Sequence, residues 1–200
     1  MTRDPGPHAA EENARRNDSV TRVRRLVEEA QRGDRSALEE LYLLHFDRIY
    51  SYLHMSVGNR HDAEDLTNQT FVRMLESIER FRWRQVPFSA WLFRIAHNLA
   101  MDHFRAGRRW HPEENPPEPP GAEHRSADEE ALQAIGRESM LEMIEDLSED
   151  QQQVLMLKFV FDFANAEVAA ILGKTEGAVK SLQHRALASL HRQLAKSSSS

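Results

Sequence analysis

Three short stretches carry side chains whose types and spacing suit particular chemistry. In NRHDAEDLTNQTF, Asn59 to Phe71, the residues Asp62, Glu64 and Asp65 put three carboxylates inside four positions. Such a cluster repels phosphates, so it suits the electropositive start of a helix or a basic protein surface. In RFRWRQVPFSAW, Phe81, Trp83, Phe88 and Trp91 stand among Arg80, Arg82 and Arg84. Aromatic faces among guanidinium groups suit unstacked bases on a single-stranded path, where stacking contributes about 1–3 kcal/mol per base. Trp91 opens an apolar stripe and suits core packing; Trp83 is the better candidate for exposure. Arg94, Asn98 and Arg105 follow at i, i+4 and i+11, near one face of a helix.

The third stretch is AEVAAILGKTEGAVKSLQHRALASL, residues 166–190. A short helix with Ala166, Ala169 and Ala170 reaches Gly173, and Thr175 suits the N-cap of a second helix. Val179, Leu182, Ala186 and Leu190 lie on one side of that helix, with Glu176, Lys180, Gln183, His184 and Leu187 near the other. Small residues let two helices cross closely, glycine relieves the turn, and the second helix offers polar side chains to a major groove. A solvated helical hairpin would show similar charges, but the glycine placement and the basic excess favour a DNA-binding helix-turn-helix.

Other chemistries find no support. The chain has no cysteine, so neither a disulfide nor a thiolate is possible. Its ten histidines form no HExxH and no other i, i+4 pair, and no phosphate-binding glycine motif or nucleophile constellation occurs. The expectation is a protein that is not an enzyme and has no catalytic residue, metal or cofactor. The N-terminus lacks the apolar run of a secretory signal, and VLMLKFVFDF is broken by Lys158 and Asp162. A cytoplasmic protein with no membrane insertion is expected.

The net charge of −6 is unevenly spread. Residues 111–130 hold seven acids and one base, whereas 73–110 hold eight arginines against three acids and 173–196 hold five bases against one. Local field matters more than the total for a polyanion partner. The organisation follows: a disordered arm over 1–19, a folded block over 20–108, a flexible acidic Pro-rich linker over 109–131, a second block over 132–195 and a tail over 196–200. Both blocks read as helical, so the fold class is all-α, two small helical domains with the helix-turn-helix in the second.

The elements that must position the three stretches are legible as helices. Ser36 with Glu39 has the pattern of a capping box, with Leu38, Leu41, His45, Ile49 and Leu53 following at helical spacing and Gly58 at the end. Asp62 opens a helix with Leu66, Phe71, Met74, Leu75 and Ile78 on its apolar side. A further helix carries Trp91, Leu92, Ile95, Ala96 and Leu99. Val154 to Phe163 has strand-like composition, but Ser148 with Gln151 suggests another capping box and favours a helix.

DAEDLTNQTF, then FSAWLFRIAHNLAMDHFR, then LSEDQQQVLMLKFV with the helix-turn-helix resembles the extracytoplasmic-function (ECF) class of bacterial sigma factors. The likeness covers almost all of residues 36–194, in the family's order. Trp83 and Pro87 in the first connection, and Phe161-Asp162-Phe163 before the helix-turn-helix, depart locally from the family pattern. The resemblance implies a sigma factor of two domains, region 2 and region 4, that binds core RNA polymerase and directs promoter-specific initiation. It implies that Asp62, Glu64, Asp65, Leu66, Gln69 and Phe71 dock on the clamp helices of the largest polymerase subunit. Arg80, Arg82, Trp83, Arg84, Arg94, Asn98 and Arg105 would then meet the minus-ten DNA, with a flipped base captured by the 80–90 loop. Lys174, Thr175, Glu176, Lys180, Gln183, His184 and Arg185 would meet the minus-thirty-five duplex, with region 4 also on the flap of the second-largest subunit. An anti-sigma factor is a further expected partner, and the acidic linker is either a polymerase-channel segment or a solvated spacer. Two other readings stand beside this one. A free-standing helix-turn-helix regulator would leave DAEDL and the Arg/Trp loop without roles. A protein-only polymerase adaptor would not need the basic recognition helix.

Overall fold

A computed structural model describes residues 7–83, 86–107 and 147–197. The linker at 109–131 and the start of the second block, 132–146, lie outside them. Every regular element among the described residues is helical. The chain divides into two compact units, Met1–Leu99 and Ala100–Ser200.

The first unit begins with α1, Pro7–Ala30. Residues 7–19, which fall in the arm expected from their polarity, lie within this helix. Pro7 takes the first helical position, where its missing N–H costs nothing, and AAEENARR is rich in strong helix formers. Leu26, Val27 and Ala30 turn inward. Helix α2 spans Arg35–Val57 and buries Leu41, Ile49, Tyr52 and Leu53 completely. Its cap is Asp34, not the expected Ser36: the Asp34 carboxylate accepts from the Ser36 and Ala37 N–H groups at 2.8 and 3.3 Å. Gly58 closes the helix in the left-handed region, φ 68°, a conformation that favours glycine.

Helix α3, Arg60–Ser77, is likewise capped earlier than expected. Asn59 accepts from His61 and Asp62 N–H at 2.8 and 3.2 Å, so Asp62 sits in the first turn and not at the cap. The buried Thr67 and Thr70 hydroxyls donate to the carbonyls of Ala63 and Leu66, one turn back. A 3-10 turn, Ile78–Arg80, leads to the Arg/Trp loop. Helix α4, Phe88–Gly107, then buries Phe88, Leu92, Phe93 and Ala96. Tyr52 on α2 and His97 on α4 share a buried hydrogen bond of 3.0 Å.

In the second unit α5 spans Glu149–Leu155, and the Gln151 side chain accepts from the Ser148 N–H at 3.2 Å. The helix then widens into a π turn, Met156–Val160, so the strand-like stretch is helical but not α-helical to its end. Phe161 and Phe163 are buried while Asp162 between them is exposed with φ 58°. Helices α6, Asn165–Leu172, and α7, Glu176–Ser197, follow. Leu155, Ala186, Leu187, Leu190 and Leu147 form a common core.

Candidate partner and nucleic-acid interfaces

On α3 the burial pattern separates two faces. Ala63, Leu66, Thr67, Thr70, Phe71 and Met74 face the core. Glu64, Asp65, Asn68, Gln69, Val72 and Leu75 are exposed, spaced as one helical face. Leu66 and Phe71, expected on the docking surface, are buried, and the Phe71 ring lies 4.6 Å from that of Tyr42 on α2. Leu75, expected on the apolar side, is half exposed, as is Val72. The carboxylates are only lightly engaged. Glu64 pairs with Arg60 at 2.8 Å and Asp65 with His61 at 3.9 Å, each pair one turn apart on the surface. Exposed pairs of this kind contribute roughly 0.3–0.5 kcal/mol, so breaking them costs little. Asp62 is half-buried.

The Arg/Trp loop is anchored by aromatic packing. The Phe81 ring stands 5.2 Å from Trp83, 5.4 Å from Phe88 and 5.0 Å from Trp91. Trp83 is half-buried and not freely exposed; its edge-on contact with Phe81 covers part of the indole, and its Nε1 is buried without a hydrogen-bond partner. Local sequence offers no helical neighbour for Trp83, but Phe81, two residues away, packs against it. The Arg82 guanidinium is turned back onto the chain, donating to the Glu79 and Phe81 carbonyls. Arg80, Arg94, Asn98 and Arg105 are exposed, with Asp102 3.3 Å from Arg105. Arg84 lies outside the described residues.

The helix-turn-helix is built as its sequence suggests at the turn. Gly173 adopts φ 66°, and its N–H and that of Lys174 both donate to the Ala169 carbonyl. Thr175 Oγ1 accepts from the Ala178 N–H at 3.2 Å. Val179, Leu182, Ala186 and Leu190 are buried, as expected. Gln183 and Leu187 are buried too, so neither belongs to the outer face. That face is narrower than predicted: Glu176, Lys180, His184 and Ala188, one every four residues, with Glu176 3.9 Å from Lys180. Lys174 is half-buried in an ion pair with Asp150 at 2.7 Å, tying α5 to the turn. Arg185 is half-buried, with Nε and one Nη enclosed and lacking partners.

Two families match this chain in the order of its helices. The pattern of Sigma-70 region 2 matches residues 41–110 and that of Sigma-70 region 4 matches residues 137–190. The ECF RNA polymerase sigma factor SigD of Mycobacterium bovis is 34% identical over 172 residues, covering 83% of this chain and 81% of the relative. The chain belongs to the ECF family of RNA polymerase sigma factors. The ECF sigma factor BldN of Streptomyces coelicolor is 38% identical over 175 residues, 86% of this chain and 66% of that protein. The fold resembles that of CnrH, solved in complex with the cytosolic domain of CnrY, with a TM-score of 0.64 and 24% identity over 88% of this chain and 98% of that one. It also resembles RpoE of Bartonella quintana, solved with the anti-sigma factor NepR, with a TM-score of 0.58 and 23% identity over 78% and 95%.

Because this sigma factor matches its family through both domains, the free-standing regulator drops out. The residues that the sequence reading missed are apolar and exposed: Tyr42, Leu43 and Leu44 on α2, Val72 and Leu75 on α3. A signal for Val72 existed. It lies seven residues after Asp65, two turns along the same face.

Proposed function

We propose that this sigma factor docks on core RNA polymerase through the outer face of α3, meets the minus-ten element with the Arg/Trp loop and α4, and reads the minus-thirty-five duplex with α7. The observation that carries the docking assignment is the single α3 face on which Glu64 and Asp65 run into exposed Val72 and Leu75. Acids that attract a basic partner, followed by apolar surface that can be desolvated, are the parts of a protein interface and would be wasted against DNA.

At the minus-ten element, strand opening requires a surface that holds unstacked bases better than the duplex does. The Trp83 indole and the exposed Arg94, Asn98 and Arg105 on α4 supply a ring, two cations and an amide for that path. The reading at the upstream duplex is supported by Lys180 and His184 on the outer face of α7, side chains that suit base edges, and by Thr175 at the helix N-terminus, where a phosphate is favoured. We infer from its family that the protein works in the cytoplasm as a binding factor and not as an enzyme. Among the described residues no helix is long and apolar enough to cross a membrane. An anti-sigma factor is the expected regulator, covering the polymerase-facing surface.

Glu64→Lys combined with Asp65→Lys should reduce core polymerase binding at least a hundredfold, roughly 3 kcal/mol, and leave helical content intact. Titration against core polymerase measures the first and circular dichroism the second. Wild-type affinity in the double variant would remove α3 as the docking face.

A further inference from the structure

Gln31 follows α1 and lies outside the residues that match region 2, yet it reaches directly into the base of the Arg/Trp loop. Its side-chain amide donates to the Ile78 carbonyl at 2.9 Å and to the Phe81 carbonyl at 2.8 Å. An amide NH2 has two N–H bonds, so both are spent on one 3-10 turn. That turn is where the α3 hydrogen-bond ladder ends and the loop begins. Phe81 is also the residue whose ring meets Trp83, Phe88 and Trp91. Fixing the Phe81 backbone therefore fixes the root of the whole aromatic group.

Arg24 stands on α1, seven residues before Gln31, whose N–H still donates to the Val27 carbonyl at 2.9 Å, so the helical register carries on and the two lie on the same side, two turns apart. Its guanidinium lies 5.9 Å from the centroid of the Trp83 ring. The same arginine pairs with Glu28 one turn on, at 3.3 Å, which restrains the guanidinium. The indole is thus held between Phe81 and a cation, with its N–H buried and unpartnered. A side chain kept with an unspent donor is held by its neighbours and not by a hydrogen bond of its own.

We propose that α1 is the positioning element of the minus-ten loop, with Gln31 setting the placement of Phe81 and Arg24 holding Trp83 against it. Both are positioning residues: they act on DNA through the aromatic group. The inference rests on the reading that this loop meets the minus-ten strand, and the test separates the two.

The experiment uses holoenzyme assembled from the full chain and core polymerase. The template is a duplex pool randomised over the minus-ten segment of a promoter that the wild-type holoenzyme uses, and sequencing of the transcripts gives yield and base preference together. Gln31→Met keeps the length and removes the donors. It should bind core polymerase like wild type, lower transcript yield about tenfold, the scale of one weakened base stack, and flatten the base preference. Gln31→Lys returns N–H donors within reach of both carbonyls and should restore the preference. Arg24→Ala, at an exposed position, should act in the same direction by about two- to fivefold. A uniform loss of yield with unchanged preference in Gln31→Met would make Gln31 a structural residue only and overturn the proposal. If Gln31→Met fails to fold, Arg24→Ala decides, and a wild-type preference there overturns it. Trp83→Ala is the control. If it flattens the preference and the α1 variants do not, the reading of the loop stands and the inference falls; if it has no effect, both fall.

Discussion

Buried polar side chains differ in kind between the two units, for the second buries Gln153 and Gln183, which do not titrate. In the first, His45, Tyr52, Thr67, Thr70 and His97 are buried among phenylalanines and leucines. Four of them have an evident solution: the threonines bond back to their own helix, and Tyr52 bonds to His97. His45 does not. Both of its ring nitrogens are enclosed without a partner, and the ring lies 5.5 Å from that of Phe88. In the second unit the charged pair Lys174 and Asp150 stays at the edge of the core, where each side chain keeps about a quarter of its exposure. The difference has a thermodynamic consequence. An orphaned imidazole is tolerated only while neutral, so the first unit depends on proton activity. A peripheral ion pair depends on ionic strength, so the second unit depends on salt.

The largest test asks whether α3 really has two faces. Phe71→Ala should destabilise the first unit by about 3–5 kcal/mol, as deletion of a buried ring does. Leu75→Ala, four residues on, should change stability by no more than about 0.5 kcal/mol and should weaken polymerase binding instead. Hydrogen exchange resolved by segment would show the loss in α2–α4 for Phe71→Ala, with α5–α7 unchanged. Equal destabilisation by both variants would mean that α3 is buried all round.

The next effect is the pH dependence. Burial, with a smaller contribution from the nearby Arg48 charge, lowers the His45 pKa from 6.5 to about 4. The unfolded chain therefore binds a proton at a pH where the folded one does not. Stability is full above about 6.5 and falls as pH drops from there towards 4, by about 3 kcal/mol in all. His45→Leu should remove this slope from the first unit and leave the second unit's pH profile unchanged. A slope that persists in His45→Leu would assign it to other groups.

The smallest effect belongs to the second unit. In a double-mutant cycle, Lys174→Ala and Asp150→Ala should show a coupling of about 1 kcal/mol at low salt, diminishing in high salt. Zero coupling would place the polar economy of the second unit elsewhere. A Lys174→Ala variant that loses upstream-duplex affinity while Asp150→Ala does not would return Lys174 to the DNA.

What the sequence made legible follows from how many sides of a helix are covered. Helix α3 packs on one side, so its period of burial matches the apolar pattern except at Leu75, where the stripe drifts off the core. Helix α7 is covered on more of its circumference, by α5 and α6, and Gln183 disappears inward although glutamine reads as surface. The caps were displaced for a local reason. Asp34 and Asn59 hold the first free N–H groups, while Ser36 and Asp62 look like caps by type alone. Gly58, Gly173 and Thr175 were readable because each performs its role through its own backbone or hydroxyl. The contacts of Gln31 were invisible: its partners lie 47 and 50 residues away, and nothing in a run of neighbours announces a bond across that distance.

The π turn at Met156–Val160 has a consequence for how this chain tolerates length changes. Phe161 N–H reaches back five residues to Met156, and Phe163 N–H reaches six to Leu157, both at 3.1 Å. Compared with an α-helical ladder, the segment accommodates one surplus residue. That surplus advances every following side chain by about 100° around the axis, and the positive φ of Asp162, 58°, then lets Phe161 and Phe163 both turn inward with Asp162 outside. Losing a single residue here would leave a regular helix with its aromatic neighbours turned away from the core, so a deletion at Lys158 should be far more damaging than replacing Lys158 by any residue other than proline or glycine. In this corner of the molecule the count of residues is under stricter control than their identity.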